Sequence, residues 1–206
     1  MAQQVYDHIL QRMLTNDLKP GDWVDRRAIA YALRTSLMPV AEAVQRLTAE
    51  GFLVTVARRG TQVRVPSRED IWGQVLVREA LECQAARLYC GKPLARAGKG
   101  LKALAEKADR PEDSASPWDA DLGFHRHLVE LAGCPALLDN FNRVMNLALF
   151  QHTALFTPFP YNRGDSHVGL LADLTRAAPD AADARIRRHI RTGKEHLFES
   201  VAGKRI

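Results

Sequence analysis

Only one stretch of this 206-residue sequence carries a β-hairpin pattern. Phe52-Leu53-Val54-Thr55-Val56 and Thr61-Gln62-Val63-Arg64-Val65 are short β-rich runs, joined by the glycine-containing connection Ala57-Arg58-Arg59-Gly60. Before it, apolar residues recur at helical spacing. Val5, Ile9 and Met13 mark a first helix that should stop before Lys19-Pro20-Gly21-Asp22. Asp25 is an N-cap candidate for a second helix with Ile29 and Leu33, and Ser36 for a third that buries Val40, Val44 and Leu47 and ends at Gly51. Pro39 is tolerated in that helix's first turn, where backbone N–H groups have no intrahelical partner. Three short helices followed by a hairpin with arginines at its tip predict a winged helix-turn-helix over residues 1–66.

Beyond Val65 no run reads as a strand. Residues 67–70 are expected to form a hinge, because Pro66 breaks the second strand and Ser67 with Glu69 and Asp70 favours a helix start. Helices are then expected at about 71–90, 94–108, 118–132, 135–157, 165–177 and 180–202, separated by Pro- and Gly-containing breaks. The fold class is mainly α, a winged helix followed by an all-α bundle over 71–206. Ligand sites in such bundles lie between facing helices.

Charge divides unevenly between these parts. Residues 1–68 hold ten Lys/Arg against six Asp/Glu, whereas the remainder holds nineteen against eighteen. Between Gly51 and Arg68 there are four arginines and no acid. A basic end on a near-neutral body predicts an anionic partner, a nucleic acid, and the winged-helix pattern makes it double-stranded DNA. In that geometry the third helix enters a major groove while the wing meets phosphates, and Arg34, Arg46, Arg58 and Arg59 are candidate phosphate contacts. No apolar run approaches the length of a membrane span, and the polar N-terminus has no signal-peptide core. Three cysteines without a CxxC pair fit a reduced, cytoplasmic protein.

In the bundle, Asp121 and His125 are four residues apart, so both side chains project from one face of a helix. His167 and His189 lie in later helical segments, and one carboxylate with three imidazoles can bind a divalent transition metal. His196 is a possible substitute for His189, while His127 points away from His125.

The segments Leu18-Lys19-Pro20-Gly21-Asp22, Ser36…Pro39-Val40…Glu42-Ala43…Leu47, Glu50-Gly51-Phe52-Leu53 and Arg59-Gly60-Thr61…Val63 resemble the DNA-binding domain of GntR-family bacterial regulators. The resemblance implies that Ser36, Pro39, Gly60 and Thr61 lie with the four arginines at the DNA surface. It departs at the DNA end of the third helix, where Leu37 and Ala41 stand at positions that usually carry arginine. That change predicts an altered or weakened operator preference. Arg78…Leu81-Glu82…Ala85-Ala86, Asp121…Phe124-His125…Leu128, His167…Leu170-Leu171 and Ala184…Arg188-His189-Ile190 are similar to the FCD ligand-binding domain of the FadR-like branch, in its smaller six-helix VanR-like form.

The resemblance implies a metal held by Asp121, His125, His167 and His189, with an organic acid as effector. Zn²⁺ is the default for a His-rich site, and Ni²⁺ or Mn²⁺ would fit as well. Arg78 is the candidate clamp on that anion, the alternative being a surface ion pair with Glu82; Asn142 and Arg143 are further cavity candidates. The expected protein is a homodimeric, ligand-responsive repressor or activator rather than an enzyme. A metal-dependent hydrolase or lyase and a metal-only sensor are the alternatives.

Overall fold

A computed structural model of the chain describes residues 1–110, 117–154 and 165–194. These form two compact units. The first comprises residues 1–67 together with the chain from Asn146 onward in the seventh helix, and the second holds the other described residues.

In the first unit, α1 (Ala2–Leu14) buries Val5, Tyr6, Ile9, Leu10 and Met13, the four-residue spacing that the sequence shows. The side chain of Asp25 caps α2 (Arg26–Ala32), accepting 2.9 Å bonds from the backbone N–H groups of Arg27 and Ala28. Ser36 stands at the N-cap of α3 (Leu37–Ala49), but its hydroxyl makes no capping bond. The chain leaves α3 through Gly51, whose φ of +88° is favourable only for glycine, and enters β1 (Leu53–Val56). β1 pairs antiparallel with β2 (Gly60–Val63), with Leu53 opposite Val63 and Val56 opposite Gly60. The hairpin has a neighbour that the sequence pattern did not announce. Val24 N–H donates to Thr61 O and Val63 N–H to Asp22 O, each at 2.9 Å, so residues 22–24 add a short third rung to the wing.

The core of this unit gathers Ile9, Met13, Val40, Val44, Leu47, Phe52, Leu53 and Val63. Phe150 completes it, meeting Phe52 edge-to-face with ring centroids 5.6 Å apart.

The second unit is all-α among the described residues. It contains α4 (Arg68–Tyr89), α5 (Lys92–Ala108), α6 (Pro117–Glu130), the first half of α7 (Pro135–Ala154), α8 (His167–Arg176) and α9 (Pro179–Arg191). Arg68, Glu69 and Asp70, expected in a hinge, form the first turn of α4, where the two acids suit the positive end of the helix. Pro93 and Pro179 sit in the first turns of α5 and α9, where a missing N–H costs nothing. α4 packs on α9 and α6, and α5 on α6 and α8. Their shared core includes Tyr89, Leu94, Phe124, Leu128, Phe141, Met145, Leu170 and Ile186.

α4 buries two carboxylates, Glu79 and Glu82, along with its apolar residues. Glu79 is matched by α9, where Arg191 donates at 2.6 and 2.9 Å and Arg187 adds a further bond. Burying an unpaired carboxylate would cost several kcal/mol, so this pairing is a condition for α4 and α9 to pack. No described helix is long and apolar enough to cross a membrane.

Candidate metal centre

Three imidazoles meet inside the second unit. His125 comes from α6, His167 from the first position of α8 and His189 from the last turn of α9. All three are buried, and one ligand nitrogen from each lies within 4.8 Å of the other two. Each ring is steered by a carboxylate of its own. His125 Nδ1 lies 2.6 Å from Glu82 Oε2, His167 Nδ1 is 2.8 Å from Asp109 Oδ1, and His189 Nδ1 is 3.1 Å from Asp165 Oδ2. An ionised carboxylate only accepts, so each Nδ1 carries the proton and donates it. The nitrogen left to each ring for a shared ion is then Nε2; in His167 that nitrogen also faces a carboxylate, Asp121 Oδ1 at 3.1 Å, and its proton must leave before an ion can bind.

Asp121 lies one helical turn before His125, as the four-residue spacing predicts. Its Oδ1 is 3.1 Å from His167 Nε2 and 3.8 Å from His125 Nε2. His125 Nε2 is fully buried without a hydrogen-bond partner. A buried imidazole lone pair without a partner is expensive, and a bound cation satisfies it. Three converging Nε2 atoms, a neighbouring carboxylate and a carboxylate behind every ring are the ligand set and orientation that a transition metal requires. The residues fit a divalent ion.

The charge distribution around the cluster agrees. Burial would raise the Glu82 carboxyl, but the Arg78 guanidinium at 2.6 Å and His125 outweigh it and hold the group down at about 2. Asp121 is likewise held well below the usual carboxylate range, burial being overcome by His125, His167 and Arg78. Asp109 is lowered despite partial burial by the backbone N–H groups of His167 and Val168, which donate at 2.7 and 3.1 Å. Asp165 is lowered, again against burial, by Arg185, whose guanidinium grips it at 2.6 and 2.5 Å. Burial lowers the His167 imidazole, but Asp121 and Asp109 overcome this and its value is raised. His189 is pushed down to about 3 by burial and by the two neighbouring histidines.

Other residues singled out in the sequence fall as follows. Arg78 is half-buried and pairs with the fully buried Glu82, so the pair is not a surface one, and Arg78 Nη2 is 3.9 Å from Asp121 Oδ2. Asn142 is half-buried and Arg143 exposed. His127 is exposed and bonds Gly123 O; His196 lies outside the described residues. In the first unit Arg34, Ser36, Arg58, Arg59 and Gly60 are exposed and Pro39 is half-buried. Arg46 is held by Glu50 and Gln3 and lies 3.9 Å over the Tyr6 ring. Thr61 is buried, its hydroxyl accepting from Arg26 at 2.9 Å.

The orienting residues Asp109, Asp165 and Arg185 were not read from the sequence. Asp109 meets His167 across 58 positions and Asp165 meets His189 across 24, so no local spacing marks either pair. The proximity of Asp165 to His167 in sequence was the one available hint.

A winged helix followed by a helical domain with a buried histidine cluster that could hold a metal is a layout suited to a transcription regulator. Residues 1–63 match bacterial regulatory proteins of the gntR family, and residues 75–192 match the FCD domain. The chain belongs to the GntR family and carries an FCD effector domain.

It is 28% identical over 197 residues to a protein of Paenarthrobacter nicotinovorans described as a probable D-xylose utilization operon transcriptional repressor, covering 92% of this chain and 85% of that one. It is also 28% identical over 189 residues to the Nta operon transcriptional regulator of Aminobacter aminovorans, covering 90% and 89%. Among solved structures, a GntR transcriptional regulator from Rhodococcus sp. RHA1 superposes with a TM-score of 0.71 at 21% identity, covering 96% of this chain and 97% of that one. E. coli McbR/YncC gives 0.66 at 17%, covering 97% and 98%, a likeness of fold. The homology is to transcription regulators and not to enzymes.

Proposed function

We propose that this protein is a ligand-responsive DNA-binding regulator of the FadR-like, VanR-like type. Residues 1–66 bind operator DNA, and the domain over 71–206 senses a small organic acid through a metal held by Asp121, His125, His167 and His189. The observation that carries the metal reading is the buried His125 Nε2, without a hydrogen bond, at the meeting point of three carboxylate-oriented imidazoles.

When bound, the ion supplies a Lewis-acidic centre with positions open to a carboxylate ligand. The chain's own part is to orient and to charge-match. Glu82, Asp109 and Asp165 fix the three rings, and Arg78, between Glu82 and Asp121, sets a cation beside the cluster for an incoming anion. Asn142 and Arg143 remain candidates for the effector's far end. Arg34, Ser36, Pro39, Arg46, Arg58, Arg59 and Gly60 form the DNA surface, with the buried Thr61 supporting it from within. A homodimer would present two such surfaces to two half-sites. The relative described as repressing a D-xylose utilization operon supports a repressor of a catabolic operon here.

Effector binding switches the protein only through a difference in affinity between its DNA-competent and incompetent states. Elemental analysis of purified protein should find about one Zn²⁺, Ni²⁺ or Mn²⁺ per chain, in keeping with a single His-rich cage. Fluorescence-polarisation titration of operator DNA against a panel of carboxylic and sugar acids should show at least one that shifts affinity. Metal-free protein with native cluster geometry would overturn the metal reading, and unchanged DNA affinity across the panel would overturn the effector reading.

A further inference from the structure

The one guanidinium on the exposed side of α3, that of Arg46, is already engaged within the unit. Its buried side is Val40, Ala43, Val44 and Leu47, while Leu37, Met38, Glu42, Gln45 and Arg46 are exposed. Arg46 is the helix's one basic residue, and Glu50, Gln3 and the Tyr6 ring hold it. Leu37 is 51% exposed and Met38 67%, while Tyr31, at the end of α2, is 88% exposed. Leu37 and Met38 stand side by side in the first turn of α3, and large apolar side chains exposed together mark a place that something covers. The same unit exposes Arg27, Arg34, Arg58 and Arg59, cations of the kind that meet a phosphate backbone.

The occupant that satisfies both features is a DNA major groove in which the group read is apolar. The 5-methyl of thymine is the one apolar group that the groove offers, and aliphatic side chains recognise it by contact. We infer that Leu37 and Met38 are specificity-determining residues that read thymine methyl groups in the operator half-site, in place of the guanine contact an arginine would make. Met38, unbranched and adaptable, suits a contact whose register shifts between sites. Gln45, further along the same face, suits an adjacent adenine edge. The operator is accordingly rich in A·T pairs where the first turn of α3 lies. This inference rests on the DNA-binding reading of the first unit.

The test begins with selection of duplex DNA from a random library by the full chain. The selected site is then synthesised with deoxyuridine for thymidine at single positions, which removes only the methyl. At the positions under Leu37 and Met38 the affinity should fall about fourfold per methyl, the equivalent of roughly 0.8 kcal/mol for one buried carbon. In L37A/M38A the thymine-to-uracil ratio should fall to one. Both positions are exposed on a helix, so alanine preserves the fold, and circular dichroism verifies it.

Equal wild-type affinity for thymine and uracil sites overturns the inference and points to a protein partner on the apolar surface. A ratio that survives in L37A/M38A overturns it as well. Failure to select any DNA would sink the DNA-binding reading itself, and the inference with it.

Discussion

Asp109→Asn separates what the site's carboxylates do for the fold from what they do for a metal. Asp109 Oδ1 takes the His167 backbone N–H at 2.7 Å and His167 Nδ1 at 2.8 Å, while Oδ2 takes the Val168 N–H at 3.1 Å. Asparagine offers one acceptor oxygen where aspartate offered two. With that oxygen kept on the His167 side, its amide NH₂ faces the Val168 N–H and that bond is lost. An N–H left without a partner costs about 1–3 kcal/mol, and the two remaining bonds lose their charge assistance, roughly half their strength. A loss of about 2–3 kcal/mol lowers the melting temperature by roughly 5–10 °C for a chain of this size.

The metal is affected separately. Loss of a carboxylate partner to a ligating imidazole weakens binding about 10- to 100-fold. At a metal concentration of about 100 times the wild-type Kd, binding stabilises the wild type by about 2.7 kcal/mol and the variant by only about 0.4–1.4 kcal/mol. Thermal unfolding with and without metal reads both numbers. A variant whose melting temperature drops but whose metal-dependent increment equals the wild type's would refute the assignment of Asp109 as an orienting residue for a ligand.

Other substitutions and conditions probe the same construction. His125→Ala and His189→Ala should each reduce bound metal, measured by elemental analysis, to below a tenth of the wild-type content, because each removes a ligand from the cage. In the metal-free chain the raised value of His167 contributes stability that is fully present below its ordinary 6.5 and is lost as pH rises through the raised value; melting followed from pH 6 to 9 tests this. Metal affinity should move the opposite way, rising with pH as the competing proton leaves, which a calorimetric titration at several pH values detects. At the acid end Glu82 contributes stability above its ordinary 4.5, lost as pH falls towards about 2, so Glu82→Gln should flatten the acid limb of an unfolding curve. Replacing both Arg58 and Arg59 by alanine should reduce the slope of log affinity against log salt by up to about 1.8 if each meets one phosphate; an unchanged slope would remove the wing from the DNA surface.

Much of the fold was readable because its signals are local. Four-residue apolar spacing and Asp25 before α2 place helices without knowledge of the rest of the chain, and Pro- and Gly-containing breaks separate them. The rung at residues 22–24 was missed because a strand that short gains its identity from its partner, Gln62, and not from its own pattern. Arg46 presents the same limit at the surface. As a sequence it is one more basic residue beside DNA, whereas the fold brings it to Gln3 and Tyr6 at the other end of the unit's sequence. In the metal centre, the Asp121–His125 spacing was legible because both lie on one helix. The rings' orienting carboxylates came from other elements, and only packing brings them together.

The pairing of Glu79 with Arg187 and Arg191 also sets an order of events at synthesis. Those bonds span 108 and 112 residues, so α4 leaves the ribosome long before the cations that make its burial tolerable. Closing a loop of that length is slow, and until α9 is made α4 has no companion for its carboxylate face. The winged-helix segment is in a similar position to a lesser degree: residues 1–67 are complete early, yet Phe150 enters their core only after some eighty further residues have been translated. A nascent chain truncated before α9 would therefore hold its charged helix in solvent, the state in which quality-control proteases would find it.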